Sequence, residues 1–494
     1  MKLLAAALLA LPLLAQTHSE SITVEVVDVP VYVYNANGAL QNLTKDDFEL
    51  FVNGKPQSID YFDPLDFRAP AKSEAAAPTP VAPRDIRDRR LFLLIFDGAF
   101  TQPAALARAR KAAAAMIDAS APADYFSVAT YTANHGLQLL ASFTNDHVVA
   151  KRAALALQGS SLHDPLALAI SSTERDVAAL IGIMEGAGGD ESESNPVVSP
   201  MMYDGMKEDA AMPTRRLMED QVTDFSALAN RLAPFAGYKH VVLMSEGLPP
   251  SQAYDYREVR LRQELKSMAD AFRTAGAVVD TIDLGGSVRD SFENDVLHLM
   301  AQETGGQFIQ HENNIKDALN RISTVSAIGY RLGFNMPKNA KKGENAIDVK
   351  VRNVPRGTTL SFRRGFSTTI SKPSPEDGLL LADVILNDIP QNGVAPRIEF
   401  TDPPCVGVVL PVQQLLALNN GKAVTADVML YVFDAKRAVV EFKEKQIVIP
   451  SDAKEDIGLR DALHLTPGGS YTAKALLRVG DSLGFAKQDF QIPR

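Results

Sequence analysis

Two apolar runs in the sequence each end at an acidic residue that is followed by glycine. Asp97 ends the run RRLFLLIFD (89–97), and Glu246 follows the run KHVVLMS (239–245). Uninterrupted apolar runs of this length are typical of strands buried on both faces of a sheet, and ligands of open α/β sheets bind beyond the carboxyl ends of such strands. Carboxylates and hydroxyls that converge there would form an oxygen site suited to Mg²⁺ or Mn²⁺. The alternative needs no ligand, because acids at these positions also stabilise the N-termini of the helices that follow.

Other kinds of chemistry have little support in the residue pattern. The sequence has no G-x-S-x-G nucleophile elbow and no phosphate-binding G-x-x-x-x-G-K-[ST] loop, and HENNI (311–315) lacks the second histidine of a zinc-protease helix. Its single cysteine, Cys405, has no basic neighbour in sequence and cannot form an intrachain disulfide. The net charge of −10 gives no electrostatic reason to expect nucleic acid as a partner. We therefore expect no catalytic site, no nucleic-acid partner and no cofactor other than a divalent cation.

The apolar runs belong to a region in which strand and helix patterns alternate. Between residues 89 and 328, runs such as YFSVATY (125–131) and AVVDTIDLG (277–285) alternate with helical segments such as 257–276, which ends at a glycine cap. This alternation predicts an α/β fold with a doubly wound, mostly parallel sheet. Residues 185–213 are rich in glycine, methionine and acids without a period, and we interpret them as a surface insertion.

The flanking regions have the shorter alternating runs of β structure. A β-rich N-terminal unit contains a hairpin turn at Asn53-Gly54, and a later β segment has the same character. As a hypothesis, these two segments pair into one β unit into which the α/β region is inserted. A C-terminal antiparallel β-sandwich follows. The predicted bounds are 16–68 for the N-terminal unit, 69–88 for a linker, 89–328 for the α/β region, 329–368 for the second β segment, 369–377 for another linker and 378–494 for the sandwich.

The first 15 residues, MKLLAAALLALPLLA, have the pattern of a secretory signal peptide. Lys2 precedes a Leu/Ala-rich run that is shorter than the roughly 20 residues of a transmembrane helix. An N-terminal membrane anchor is the alternative. We expect a chain exported to the periplasm or beyond the cell, with no stable membrane span after cleavage.

In its ordered motifs the chain resembles bacterial VWFA-related proteins, which carry a von Willebrand factor type A domain. The resemblance rests on LTKDDFELFVNGKPQSI (43–59), LFLLIFDGAFT (91–101), AQETGGQFIQHENNIKDALNRI (301–322), YRLGFN (330–335) and SFRRGF (361–366), and it covers most of residues 22–368. It implies a Rossmann-like type A fold for residues 89–328.

Type A domains commonly bear a metal-ion-dependent adhesion site, written D-x-S-x-S, with a threonine and an aspartate from later loops. Asp97 matches the first aspartate, Ala99 stands in place of the first serine, and Thr101 replaces the second. In GSSLHDPLA (159–167), Ser160 or Ser161 takes the threonine position, and Glu246 takes the position of the late aspartate. The resemblance therefore implies a degenerate site of Asp97, Thr101, Ser160 and Glu246 for Mg²⁺ or Mn²⁺.

The resemblance also implies a function. We expect a non-catalytic adhesion protein that binds a protein partner at the carboxyl ends of the strands, with an acidic side chain of the partner completing the cation's coordination. The alternative is a scaffold of the cell envelope that works without metal. Cation dependence distinguishes the two.

Overall fold

The computed structural model shows a mixed α/β, strand-rich chain. Predictions for the first 15 residues and for most of both linkers lie outside the part that it describes. The structure describes residues 26–68, 86–156, 200–247, 258–285, 295–310, 314–336, 340–368, 378–391, 393–401 and 405–493.

The first strands form a small β-rich segment. Its hairpin turns at Asn53 and Gly54, which adopt φ angles of 51° and 74° between paired residues Val52 and Lys55. Positive φ at both central residues is the geometry that an Asn-Gly turn favours, so the predicted hairpin is confirmed. The strands are β1 (Val26–Asn35), β2 (Gly38–Ala39), β3 (Phe48–Val52), β4 (Lys55–Gln57) and β5 (Tyr61–Asp66).

A six-stranded mixed sheet follows, which we call the central sheet. Its order is β11-β10-β9-β6-β7-β8. The first five of these strands are parallel, whereas β8 pairs antiparallel with β7. The strands are β6 (Arg90–Asp97), β7 (Tyr125–Thr132), β8 (Gly136–Thr144), β9 (Tyr238–Ser245), β10 (Ala277–Asp283) and β11 (Phe308–Ile309).

Strand β6 lies at the centre of this sheet, and every one of its residues is buried. Leu91, Leu93 and Ile95 belong to the hydrophobic core on one face. The alternate residues Phe92, Leu94 and Phe96 belong to the core on the other. Because successive side chains of a strand point to opposite faces, a strand packed on both sides must be apolar throughout, as its sequence is.

Helices cover both faces of the central sheet. The first, second and sixth contribute to the core around Phe92, and the third, fourth and fifth contribute to the core around Leu93. They are α1 (Pro103–Ala119), α2 (His147–Leu155), α3 (Pro200–Leu232), α4 (Glu258–Thr274), α5 (Asp295–Thr304) and α6 (Ile315–Val325).

Helix α3 includes part of the predicted surface insertion 185–213, whose place at the surface stays a prediction. Residues 200–213 form the first turns of this helix, and residues 185–199 lie outside the described part of the chain. The segment has no apolar period, but methionine, alanine, glutamate and lysine are good helix formers, so propensity favours a helix where periodicity gives no signal.

The strands after α6 return to the N-terminal β segment. Strand β12 pairs antiparallel with both β1 and β5, and β13 pairs with β3. The resulting sheets have the orders β14-β1-β12-β5 and β15-β13-β3-β4 and share one apolar core, and we call them the β unit. The later strands are β12 (Ile328–Asn335), β13 (Glu344–Val351), β14 (Thr359–Phe362) and β15 (Gly365–Ser367).

The C-terminal region consists of two antiparallel sheets around a common core, with the orders β16-β17-β20 and β19-β18-β21-β22. It begins with a helix, α7 (Gly378–Asn387), although the sequence had suggested only short β runs from residue 378. The other elements are β16 (Arg397–Thr401), β17 (Cys405–Leu410), α8 (Val412–Leu418), β18 (Val424–Asp434), β19 (Val439–Ile449), β20 (Ile457–Ala462), β21 (Ser470–Val479) and β22 (Ser482–Gln491).

Helix α7 joins this region to the central sheet. Leu379 packs into the core that contains Leu93, and other α7 side chains pack against β18. Asp383 forms a buried ion pair with Arg89, with hydrogen bonds of 2.8 and 3.1 Å. An apolar helix with one buried acid is thus fixed between two sheets.

No helix among the described residues combines the length and the apolar character needed to cross a membrane.

Candidate functional site

The carboxyl ends of β6 and β9 bring the predicted acids to one place. These strands are parallel neighbours with Phe96 opposite Met244. The residues that follow, Asp97 on one strand and Ser245 and Glu246 on the other, therefore lie side by side. We call Asp97, Thr101, Ser245 and Glu246 the carboxyl-edge site.

Asp97 is the most heavily hydrogen-bonded residue of this site. Its Oδ2 accepts a hydrogen bond of 2.7 Å from the Ser245 hydroxyl. Its Oδ1 accepts bonds of 3.1 and 3.2 Å from the backbone N–H groups of Ala99 and Phe100. Only 2% of the residue is exposed. Burial raises the pKa of this carboxyl group above its usual value, and the hydrogen bonds from Ser245, Phe100, Gln221 and Ala99 oppose that shift.

Two hydroxyl groups connect the loops of the site. The Thr101 Oγ1 accepts a 3.2 Å hydrogen bond from the backbone N–H of Glu246, and the Ser245 Oγ accepts one of 3.0 Å from Gly247. Thr101 and Glu246 are both buried. The loop after β6 and the loop after β9 are thereby held together by side-chain oxygens.

Three of the four predicted site residues, Asp97, Thr101 and Glu246, are brought together. The fourth, Ser160, lies outside the described residues. At the position of the first serine in the adhesion motif, Ala99 contributes only a backbone N–H to Asp97. The loss of that hydroxyl is partly offset by another one, since Ser245 contacts Asp97 from the neighbouring strand.

Sequence reasoning missed two residues that contact Asp97. Ser245 directly precedes Glu246, so its place at a strand end was a signal that could have identified it. Gln221 lies on α3, more distant in sequence, and its hydrogen bond to Asp97 lowers the pKa of that carboxyl group. No motif in the sequence pointed to Gln221.

The donor set matches a hard divalent cation in kind. It contains the carboxylates of Asp97 and Glu246 and the hydroxyls of Thr101 and Ser245, all oxygen donors of the type that Mg²⁺ and Mn²⁺ prefer. Within the described ranges, no cluster of three or more His, Cys, Asp or Glu residues could hold a metal. A cation at this edge would therefore depend on the hydroxyls and on water as well as on the two acids.

A second group of polar side chains lies under the β unit. It resembles a catalytic relay only in its residue types, which are tyrosine, histidine and aspartate. The His240 Nε2 is 3.2 Å from the Tyr32 hydroxyl, and its Nδ1 is 3.5 Å from the Asp280 Oδ2. All three residues are at most 3% exposed. Because they are buried between β1 and the central sheet, their evident role is to join those two layers.

Comparisons with known proteins found similar solved structures. No protein-family model matches the sequence, and no curated protein matches it. The similar solved structures include an aerotolerance-related membrane protein from Bacteroides fragilis, with 12% identity, a TM-score of 0.26 and coverage of 48% of this chain and 98% of that one. BatB from Bacteroides thetaiotaomicron has 11% identity, the same TM-score and the same coverage.

A von Willebrand factor type A protein from Catenulispora acidiphila is also similar, with 11% identity and a TM-score of 0.28 over 82% of this chain and 67% of that one. A type A protein and BatB are thus among the structures that this chain resembles.

Proposed function

We propose that this chain is an exported, non-catalytic protein-binding molecule that engages its partner at the carboxyl edge of the central sheet. In this proposal residues 89–328 form a doubly wound type A domain. The observation that carries it is Asp97, a buried carboxyl group at the end of the central strand that has no Lys or Arg partner among the described residues. An acid in this position would bind a cation or a group of a partner protein.

Burial of the Asp97 carboxylate costs the folded chain free energy. Removing a carboxylate from water costs free energy unless hydrogen bonds or an opposite charge compensate. Asp97 receives hydrogen bonds, yet its pKa is still raised. A positive charge at this edge would favour the ionised form and stabilise the fold, which supports a cation or a basic group as the natural occupant.

The residues that would hold a divalent cation are Asp97, Thr101, Ser245 and Glu246, with Ser160 as the fifth candidate. A bound cation would supply an open coordination position for an acidic side chain of the protein partner. The chain's own part is to fix the oxygens, since the Ser245 and Thr101 hydroxyls tie the two loops together.

The proposed place of action rests on the sequence. The signal-peptide pattern of residues 1–15 supports export, to the periplasm or beyond the cell.

The test is thermal unfolding of the exported form in EDTA and then in excess Mg²⁺ or Mn²⁺. At about 100 times its dissociation constant, a ligand stabilises the folded state by about 2.7 kcal/mol. We expect the wild type to shift upward and both Asp97→Ala and Glu246→Ala to lose the shift.

Asp146→Ala is the matched control. Asp146 caps α2 by accepting hydrogen bonds from the second and third residues after it, Val148 and Val149, just as Asp97 accepts them from Ala99 and Phe100. It should lose about 1 kcal/mol as a helix cap does, yet keep the cation shift. If Asp97→Ala behaves in the same way, the role of Asp97 is only to hold its own loop in place.

The second candidate is a scaffold of the envelope that binds without metal. It is favoured by one observation, that both carboxylate oxygens of Asp97 already accept hydrogen bonds from the protein. An unfolding temperature that is the same in EDTA and in cation would make this scaffold the leading account.

A further inference from the structure

A cavity of about 470 Å³ lies at the opposite edge of the central sheet, between that sheet and the β unit. Its walls come from β1, from the ends of α3 and α4, from the start of β9 and from the segment around β15. A volume of this size is within the usual range of small-molecule sites. The residues that matter for its chemistry are Asp28, Lys239, Gly276, Met336, Arg363 and Phe366.

Arg363 is the charged group that defines this cavity. Its Nε donates a 2.7 Å hydrogen bond to the Gly365 carbonyl, which fixes the plane of the guanidinium. Burial lowers the pKa of this group to about 10, and among the described residues Asp28 is the charged neighbour that opposes the shift. The two residues do not form an ion pair, so the guanidinium carries a charge that the protein leaves largely uncompensated.

The chain accommodates this guanidinium at Gly276. A Cβ at that position would lie 2.9 Å from the Arg363 Cζ, and Gly276 also has a φ of +70°. Any side chain here would displace the guanidinium. The glycine that ends α4 therefore has a second effect, which is to leave room for Arg363 at the cavity wall.

The other charged groups make the cavity suited to a single negative charge. Lys239 is already engaged, because its Nζ donates to the carbonyls of Leu232, Ala233 and Phe235 at 3.1, 3.4 and 2.8 Å. Burial raises the pKa of the Asp28 carboxyl group. Arg87 also lines the cavity, but its side chain is exposed and already has an interaction partner. Arg363 is thus the guanidinium that remains to bind one negative charge of a ligand.

The rest of the wall contains polar residues such as Asn230, Thr274 and Ser367 and an apolar patch beside them. Val27 and Phe235 are 6% and 4% exposed, Phe366 is 2% exposed, and Met336 is partly buried. A ligand that filled the cavity would bury its hydrocarbon part against these side chains. An inorganic anion would leave them in contact with water.

We propose that this cavity binds a small organic monocarboxylate, with the carboxylate on the terminal nitrogens of Arg363 and the apolar body against Val27, Met336 and Phe366. Arginine presents a planar pair of donors that matches a carboxylate. This site is independent of the carboxyl-edge site, which lies at the other end of the strands.

The test is binding of sodium hexanoate to the purified chain, measured by calorimetry and by thermal unfolding, with 1-hexanol and inorganic phosphate as comparison probes. We expect hexanoate to bind and to raise the unfolding temperature, and the other two probes to have little effect. Equal shifts from hexanoate and hexanol would overturn the role of the charge. If phosphate alone raised the unfolding temperature, the proposed preference for a carboxylate would be wrong. If hexanoate did not raise it, the proposed site would be wrong.

Arg363→Gln should weaken hexanoate binding about tenfold or more, because a charge-assisted bond is lost. Arg364→Gln is the matched control, since Arg364 lies over the Phe362 ring and is not part of the cavity wall. It should bind hexanoate as the wild type does. If Arg363→Gln does not fold, Arg363→Lys keeps the charge without the planar fork and should bind with intermediate affinity. Unchanged affinity in the folded Arg363 variant would refute the proposal.

Discussion

The two edges of the central sheet compensate their buried charges in different ways. At the amino edge, where the parallel strands begin, Arg89 pairs with Asp383 and Arg90 pairs with Asp124 at distances of 2.8 and 2.5 Å. At the carboxyl edge the buried charge is an acid, Asp97, and hydrogen bonds from hydroxyl and N–H groups replace a cationic partner.

The difference separates an edge with paired buried charges from the edge at which we propose that a partner binds. Charges at the amino edge are neutralised by residues from elsewhere in the chain, so most of that edge is closed to other partners. Asp97 is held in place by hydrogen bonds and has no cationic partner among the described residues, and burial raises the pKa of its carboxyl group. Arg363 and Lys239 are the exceptions at the amino edge, since Lys239 is held by three backbone carbonyls and Arg363 forms no ion pair. Arg363 is where we place a ligand.

The largest effect should come from breaking a pair at the amino edge. Asp383→Ala leaves the Arg89 guanidinium buried, at 1% side-chain exposure, without its carboxylate. We expect the free energy of unfolding to fall by about 3–5 kcal/mol, measured by urea denaturation. Asp118→Ala removes the partner of Lys151 in a pair whose side chains are 41% and 53% exposed, and it should cost less than about 1 kcal/mol. Similar losses in the two variants would contradict this account of the amino edge.

A second effect, of intermediate size, concerns Lys239. Burial, together with the charges of Arg363 and Arg89, lowers the pKa of its ammonium group to about 7 from a usual 10.5. Between these values the unfolded chain holds a proton that the folded chain lacks, so stability should rise as the pH increases from about 7 and should be lost as the pH falls through 7. The slope of this contribution is at most about 1.4 kcal/mol per pH unit.

Lys239→Met removes this titration. Urea denaturation across this range should give a flatter dependence on pH for the variant than for the wild type. Parallel curves would show that Lys239 stays protonated in the folded state.

The last prediction concerns Asp97, whose contribution to stability should depend on pH with the opposite sign. Its pKa is raised above 3.8 in the folded state, chiefly by burial, so its contribution to stability is present below that value and is lost as the pH rises through the folded pKa. Asp97→Asn should therefore gain stability relative to the wild type as the pH rises above 3.8. Unfolding at a series of pH values without added cation measures this, and a difference that shrinks with pH would refute it.

Sequence patterns predicted best those strands and helices whose structure is set by their own residues. The apolar run around Phe92 predicted the buried strand β6, and the helix predicted over 257–276 is α4, with Gly276 at a φ of +70°. Helix α7 was missed because LLLADVIL (379–386) is apolar without a clear period, so the run alone does not distinguish a helix from a strand.

The residues of the two sites also differ in whether the sequence could predict them. Asp97 and Glu246 could be found because each ends an apolar run, and parallel strands bring such ends together. Gln221 beside Asp97, and Arg363 against Gly276, depend on contacts between distant segments. No local pattern encodes those contacts, because they arise only when helices pack on the sheet.

The pairing of Asp66 with Ile328, neighbours in the β5–β12 register, has a consequence for the order of folding. The chain leaves the β unit and returns to it at adjacent positions, so the whole α/β region is a single loop whose ends meet. Loop-closure entropy grows only slowly with length, by about 0.6 kcal/mol for each doubling, so a long loop costs little more than a short one. During synthesis, however, β1 and β5 are made long before β12, so the strand edges that pair with β12 stay unpaired until it is made. We expect the β unit to be completed late, after the α/β region has brought its own ends together.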